Sequence, residues 1–213
     1  MMPHKYFPDA KSILCLNGDI PNERFFSNDK IVIAADGSAD KLKQIGITPK
    51  IIIGDLDSIE YKNHSESKII HLPDQNQTDF QKSLQYIKQH NLGPTIICGV
   101  NGGLIDHIFN NINIIIENNC SFYAEPIIGY SLNKGKFEIH LPLNTKISLF
   151  GIEHAKVKTS GLKWELNNEI LNFPGNNSCS NRVINENISI EIANGKILLF
   201  IYLEDIKDNG KNY

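Results

Sequence analysis

Residues 51–59 read IIIGDLDSI: three isoleucines, a glycine, and two aspartates one residue apart before the chain turns apolar again. A short apolar run ended by glycine has the pattern of a buried strand. Two carboxylates this close repel, and burying them unpaired is costly, so a positive group is expected to meet them. Working outward, the same kind of run recurs as SILCL (12–16), KIVIAA (30–35), KIIHL (68–72) and TIICGV (95–100), with KIIIG (50–54) as the stretch quoted. Each stops at a polar or glycine-rich turn, and helical patterns lie between them. Strands alternating with helices predict an α/β domain with a mainly parallel sheet.

Two helices are distinct. From Thr78 to His90, Phe80, Leu84 and Ile87 fall at helical spacing, and TDFQ opens the segment as a capping box with Thr78 at the cap and Gln81 three residues on. A second helix begins near Leu104, with Ile105, Ile108, Phe109, Ile112, Ile115 and Ile116 as its apolar stripe and Asp106, Asn110 and Asn113 on another face. After about residue 133 the texture changes to alternating segments such as KGKFEIHLP, TKISLFGI and AKVKTSGLKWEL, separated by Asn, Gly and Pro. ANGK at 193–196 reads as a hairpin turn. The expected organisation is an α/β domain over 1–133 and an all-β domain over 134–213.

With 213 residues the chain can bury real cores. A net charge of −3, with lysines scattered and no basic stripe, gives no sign of a nucleic-acid partner. The apolar runs fall far short of the ~20 residues a membrane span needs, and no signal peptide is evident, so a cytoplasmic protein is expected. Cys15, Cys98, Cys120 and Cys179 form no CxxC pair, which predicts reduced, mostly buried thiols and no zinc site.

In open α/β sheets ligands bind at the carboxyl ends of the strands. Acidic residues are predicted there after three successive strands: Asp36 after the second, Asp55 and Asp57 after the third, Asp74 and Asp79 after the fourth. In an extended segment residues i and i+2 face the same way, so Asp55 and Asp57 could grip one hard cation such as Mg2+. The alternative is that one caps a turn and the other is solvated. Asp79 also fits the dipole at a helix start, and Asp74, beside Pro73, reads as a turn residue. GVNGGLIDH (99–107) is a glycine-rich strand-to-helix turn, either presenting amides to phosphate or simply turning tightly, and it is not a Walker A sequence.

ADGSAD, GDLDSI, DQNQTDFQKSL, GGLIDH and SGLKWEL…LNF…SCSN, in this order, resemble thiamin pyrophosphokinase over roughly residues 13–202. The resemblance implies transfer of the pyrophosphoryl group of ATP to the hydroxyl of thiamine, releasing AMP and requiring Mg2+. It implies an N-terminal α/β domain, a C-terminal β-sandwich, and a homodimer with thiamine held between one subunit's acidic loops and its partner's β domain. By motif, Asp55, Asp57 and Asp79 would be the Mg2+ ligands, with Asp36 in the same acidic pocket. Gln75 and Thr78 would lie at the thiamine site. Trp164 would stack on the thiamine ring, where the residue alone suggests core burial. Ser178, Ser180 and Asn181 would hydrogen-bond that ring, and Gly37, Gly102, Gly103, Asp106 and His107 would serve the nucleotide.

Three positions depart from the family pattern: Leu104 replaces an arginine, Ser38 a glycine and Asp40 an asparagine. Arg182 or a lysine is the candidate replacement for the missing cation. The rival readings are a non-catalytic thiamine- or nucleotide-binding protein, suggested by Leu104, and a metal-dependent nucleotide-sugar glycosyltransferase, which leaves GLKW and SCSN unexplained. An aspartyl-nucleophile phosphatase is weaker, since DLDS lacks the D-x-D-x-T context.

Overall fold

Six parallel strands carry the N-terminal part of the computed structural model, which describes residues 3–26, 29–59 and 64–203. They are β1 (Ser12–Cys15), β2 (Ile31–Ala35), β3 (Ile51–Gly54), β4 (Lys68–His71), β5 (Thr95–Cys98) and β6 (Ser121–Ala124). Their order is β6-β5-β1-β2-β3-β4, with every neighbouring pair parallel. The five strands expected from the apolar runs are all present. β1 and β3 are buried along their whole length, and β4, at the edge, is mostly exposed. Ile52 and Ile53 lose all contact with solvent, a burial worth about 1.5–3 kcal/mol for each side chain.

The helices are α1 (Ser38–Gln44), α2 (Asp79–Gln89) and α3 (Ile105–Asn118). Thr78 caps α2 as expected: its side chain accepts from the Gln81 amide while the Gln81 side chain accepts from the Thr78 amide. Such a cap contributes about 1 kcal/mol and fixes where the helix begins. α3 starts one residue after Leu104, but its predicted stripe is only half right. Within the stripe Ile115 is buried, Ile108, Ile112 and Ile116 are half-buried, and Ile105 and Phe109 are exposed, while buried Ile114 and exposed Leu104 lie outside it. Helical periodicity locates an apolar face without saying how much of it the sheet will cover.

Chain contacts separate two compact units, Met1–Glu125 and Pro126–Tyr213. The 133/134 position expected from the change in texture falls inside β7 (Ile127–His140), whose first half is apolar and so does not look different in sequence. The second unit is antiparallel throughout, with β8 (Lys146–Ser160), β9 (Asn167–Leu171), β10 (Ser178–Arg182) and β11 (Asn187–Tyr202). β11 runs between β7 and β8, and β8 pairs with β10 near its start and with β9 near its end.

ANGK is not a hairpin. β11 passes straight through it, with the register shifting between Ile192 and Lys196 against both neighbours. Gly195 takes φ +75°, and Glu153 and His154 of β8 are also left-handed at this level. An Asn-Gly pair supplies the positive φ that a β-bulge needs as readily as the one a tight turn needs. Asn-Gly therefore signals a backbone conformation rather than a chain reversal.

Candidate active site

A cavity of about 670 Å³ opens at the carboxyl ends of the parallel strands. The turns after β1 (Leu16–Gly18), β2 (Ala35–Gly37), β3 (Asp55, Ser58), β4 (Gln75–Lys82) and β5 (Gly99, Val100, Gly103) line it, together with the first two turns of α3. Five loops meet there because β1 lies at the centre of the order and all strands point the same way.

Three of the predicted acids converge. One carboxylate oxygen from each of Asp36, Asp55 and Asp79 lies within 4.8 Å of the others. Local structure produces this. Asp36 follows β2 with φ +42°, and its amide donates to the Ile53 carbonyl at 2.8 Å. Gly54 leaves the space that Asp36 packs into, since a Cβ there would stand 2.8 Å from the Asp36 Cβ. Asp79 is delivered by the capping box as the first residue of α2.

Asp57 does not join them. It is exposed, its carboxylate accepts from the Ser58 hydroxyl at 2.9 Å, and its amide points at Asp55 Oδ1 at 3.4 Å. The expectation that Asp55 and Asp57 share a face assumed extended backbone. Leu56 between them has φ +65°, so the segment turns and the period of two is lost.

The three carboxylates differ in environment. Asp36 is buried, with Oδ2 accepting from the Ser58 amide at 3.2 Å and Oδ1 without a partner among the described residues. Burial raises its pKa, and the charges of Asp79 and Asp55 add to the rise. Asp55 moves the other way, chiefly because Gln75 Nε2 donates to its Oδ2 at 2.6 Å. Lys82, almost fully buried, donates to Asp79 Oδ1 at 3.0 Å. A pKa raised by folding means that ionising Asp36 favours the unfolded chain. The cost sets in as pH rises through the unfolded value and is complete above the folded one. Asp36→Asn is therefore expected to raise the melting temperature in EDTA at neutral pH. The gain should vanish below about pH 3, where the carboxyl is protonated in both states.

Gln75, Thr78, Gly37, Gly103, Asp106 and His107 all line the cavity, and Gly102 does not. Gly102 (φ +83°) packs on the Asp19 carboxylate, so it shapes the turn. Asp74 is the expected turn residue, its Oδ1 accepting from the amide and side chain of Asn76. The departures at 38 and 40 are accommodated within the fold. Ser38 donates to the Cys15 carbonyl, and buried Asp40 pairs with His64 at 3.3 Å, outside the cavity lining. Lys82, Ser58 and Asn111 also line the cavity and were not picked out as site residues from sequence. The i, i+3 spacing of Asp79 and Lys82 on one helix was the readable signal for the first.

In the second unit Trp164 is 55% exposed, which excludes the core role. Asn181, with 1% exposure, holds it from below. Asn181 Oδ1 accepts from the amides of Trp164 and Arg182 at 3.1 and 2.8 Å, and its Nδ2 donates to the Trp164 carbonyl and to Ser178 Oγ at 2.7 and 3.2 Å. Its amide group is thus committed within the protein, whereas the resemblance assigns it to a ligand. Glu165 fixes the same turn by accepting from the amides of Gly161 and Leu162 and from the Thr159 hydroxyl. Ser180 sits at φ +57° with its amide donating to Ser148 Oγ.

The description "Thiamin pyrophosphokinase, catalytic domain" matches residues 22–124, and "Thiamin pyrophosphokinase, vitamin B1 binding domain" matches residues 136–197. This chain belongs to the thiamin pyrophosphokinase family. Thiamin pyrophosphokinase 1 of Caenorhabditis elegans is 27% identical over 96% of this chain and 95% of its own length. Thiamine pyrophosphokinase 1 of Arabidopsis thaliana is 27% identical over 84% and 82% respectively. Among solved structures, thiamin pyrophosphokinase from Candida albicans superposes with a TM-score of 0.81 at 21% identity, covering 95% of this chain and 92% of that one. The thiamine pyrophosphokinase of Bacillus subtilis gives 0.77 at 19% identity, covering 91% and 100%. The two matched regions of the thiamin pyrophosphokinase family fall one on each compact unit. No helix among the described residues is long and apolar enough to cross a membrane.

Proposed function

We propose that the chain transfers the pyrophosphoryl group of ATP to the hydroxyl of thiamine, giving thiamine diphosphate and AMP. The observation that carries this reading is the meeting of Asp36, Asp55 and Asp79 from three successive loops in one cavity of a chain of this family. Hard carboxylate oxygens and the open Oδ1 of buried Asp36 suit Mg2+, which takes carboxylates together with water and substrate phosphates. Asp36, Asp55 and Asp79 would hold the ion. When bound, it neutralises charge on the transferring phosphates and on the departing AMP.

The protein's own groups supply the positioning that phosphoryl-type transfer requires. Gln75 fixes the orientation of Asp55, and Ser58 fixes that of Asp36. Gly103, Asp106 and His107, at the start of α3, border the space for the nucleotide, and Gly37 borders it from the β2 side. Trp164 offers an exposed ring for the flat pyrimidine of thiamine, with Lys163 Nζ 4.6 Å from its centre. The working form is a homodimer that brings Trp164 of one subunit to the acidic loops of another, and sedimentation of the purified protein tests this.

Incubation with ATP, Mg2+ and thiamine, followed by chromatography, tests the reaction. AMP and thiamine diphosphate should appear in equal amounts, and only when both substrates and metal are present. Leu104 at the start of α3 is exposed and uncharged, which favours the non-catalytic reading as the second one. That reading predicts thiamine binding with no AMP. ADP as product would overturn both.

A further inference from the structure

Lys82 is the one lysine, and there is no arginine, among the described residues that line the cavity. An ammonium this buried is stable only beside negative charge, and its partner is Asp79 Oδ1 at 3.0 Å. The spacing is set by α2 itself: the capping box starts the helix at Asp79, and Lys82 follows one turn later on the same face. Two other cations are engaged with backbone. Lys41 Nζ donates to the carbonyls of Asn17 and Gly18 at 2.7 and 2.9 Å, and Arg182 Nη1 donates to the Asn144 carbonyl at 2.9 Å.

We propose that Lys82 is the resident counter-cation of the acidic cluster, holding Asp79 against Asp36 and Asp55 until a divalent ion arrives and then turning to the phosphates of the nucleotide. The inference rests on the metal-dependent reading above. Its physical basis is competition. A divalent ion held by the three carboxylates repels an ammonium already bonded to one of them, so its arrival weakens the hold of Lys82 on Asp79. Released from Asp79, the ammonium is a compact charge on a flexible stem, suited to a phosphate oxygen. Lys82 would then supply the positive charge that Leu104 lacks.

The decisive measurement is Mn2+ binding to the full chain without nucleotide, read from the free-ion electron paramagnetic resonance signal. Lys82→Met is expected to bind Mn2+ at least about fivefold more tightly than the unaltered chain, because one repelling charge is gone from a partly wetted cavity. Lys82→Arg should bind as the unaltered chain does. Lys82→Gln, which can keep a hydrogen bond to Asp79, should show the same tightening and covers the case in which the methionine variant does not fold. The KM for ATP should rise about tenfold or more in the methionine variant, the worth of a lost charge-assisted bond, and recover in part with arginine. Unchanged or weaker Mn2+ binding in both neutral variants would reduce Lys82 to a prop for α2 and overturn the proposal. If the unaltered chain bound no Mn2+, and Asp55→Asn made no difference, the metal reading would fall and this inference with it.

Discussion

Asp55→Asn is expected to lower turnover at least about 100-fold, since even residues that only orient metal ligands cost 10- to 100-fold when removed. Asp55 presents one of the three clustered oxygens, and Gln75 Nε2 already directs its other side. The hydrogen bond that holds the Asp55 carboxyl below the ordinary carboxylate range also keeps it ionised and ready for a cation. Asparagine retains the shape and one oxygen but loses the charge, so the loss should appear as weaker Mg2+ activation as well as a lower rate. Asp79→Asn should behave alike, with Lys82 left without its partner as an added penalty. Asp57→Asn is the informative contrast. Its side chain is exposed and bonded to Ser58, outside the cluster, so its effect should be clearly smaller. Steady-state rates across a Mg2+ titration rank the three variants. A loss for Asp57→Asn equal to that for Asp55→Asn would mean that the 55–58 turn swings when metal binds, bringing Asp57 into the ligand set.

That contrast marks how far the sequence could be read. Five of the six parallel strands were legible because each is an apolar run closed by a turn signal, and burial on two faces leaves no other use for IIIG or TIIC; β6, SFYA, carries no such run. The start of α2 was legible because a capping box states its geometry in side chains. That Asp36, Asp55 and Asp79 lie at one edge followed from topology, since parallel strands must deliver their following loops there, while local backbone decided which acids converge. What failed depended on single backbone angles. Leu56 at φ +65° separates Asp57 from Asp55, and Gly195 at φ +75° makes a bulge where Asn-Gly suggested a turn. A non-glycine residue in the left-handed region carries little signature in the chain, and Asn-Gly marks a positive φ without saying whether the chain turns or bulges, so neither outcome was readable. The exposed face of α3 failed for another reason: periodicity finds apolar residues at Ile105 and Phe109 but cannot report that nothing within the described unit covers them. Lys82 was overlooked because a lysine on a helix is ordinarily solvated, and only packing makes this one buried.

Trp164→Ala and Asn181→Ala should separate a ligand-contacting role from a positioning one. Trp164 is exposed, so its removal should change stability by no more than about 0.5 kcal/mol. Its loss should raise the KM for thiamine about tenfold or more with kcat little altered, given stacking energies of roughly 1–3 kcal/mol for an aromatic side chain on a heterocyclic base. Asn181 is different in kind. Its side chain is buried and makes four part-buried hydrogen bonds inside the protein, two of them to the backbone of Trp164. Losing these four bonds and the packing of a buried side chain should cost about 3 kcal/mol, or roughly 6–12 °C in melting temperature for a chain of this size. Because Trp164 is the sole tryptophan, its fluorescence reports directly on the turn. Asn181→Ala should shift the emission in the absence of any ligand and weaken the quenching that thiamine produces, while Asn181→Asp, which keeps the acceptor and loses the donor, should fall between. If Asn181→Ala left both the melting temperature and the ligand-free emission unchanged and raised only the KM for thiamine, Asn181 would be a direct ligand contact, and the clamp on Trp164 would carry no energetic weight.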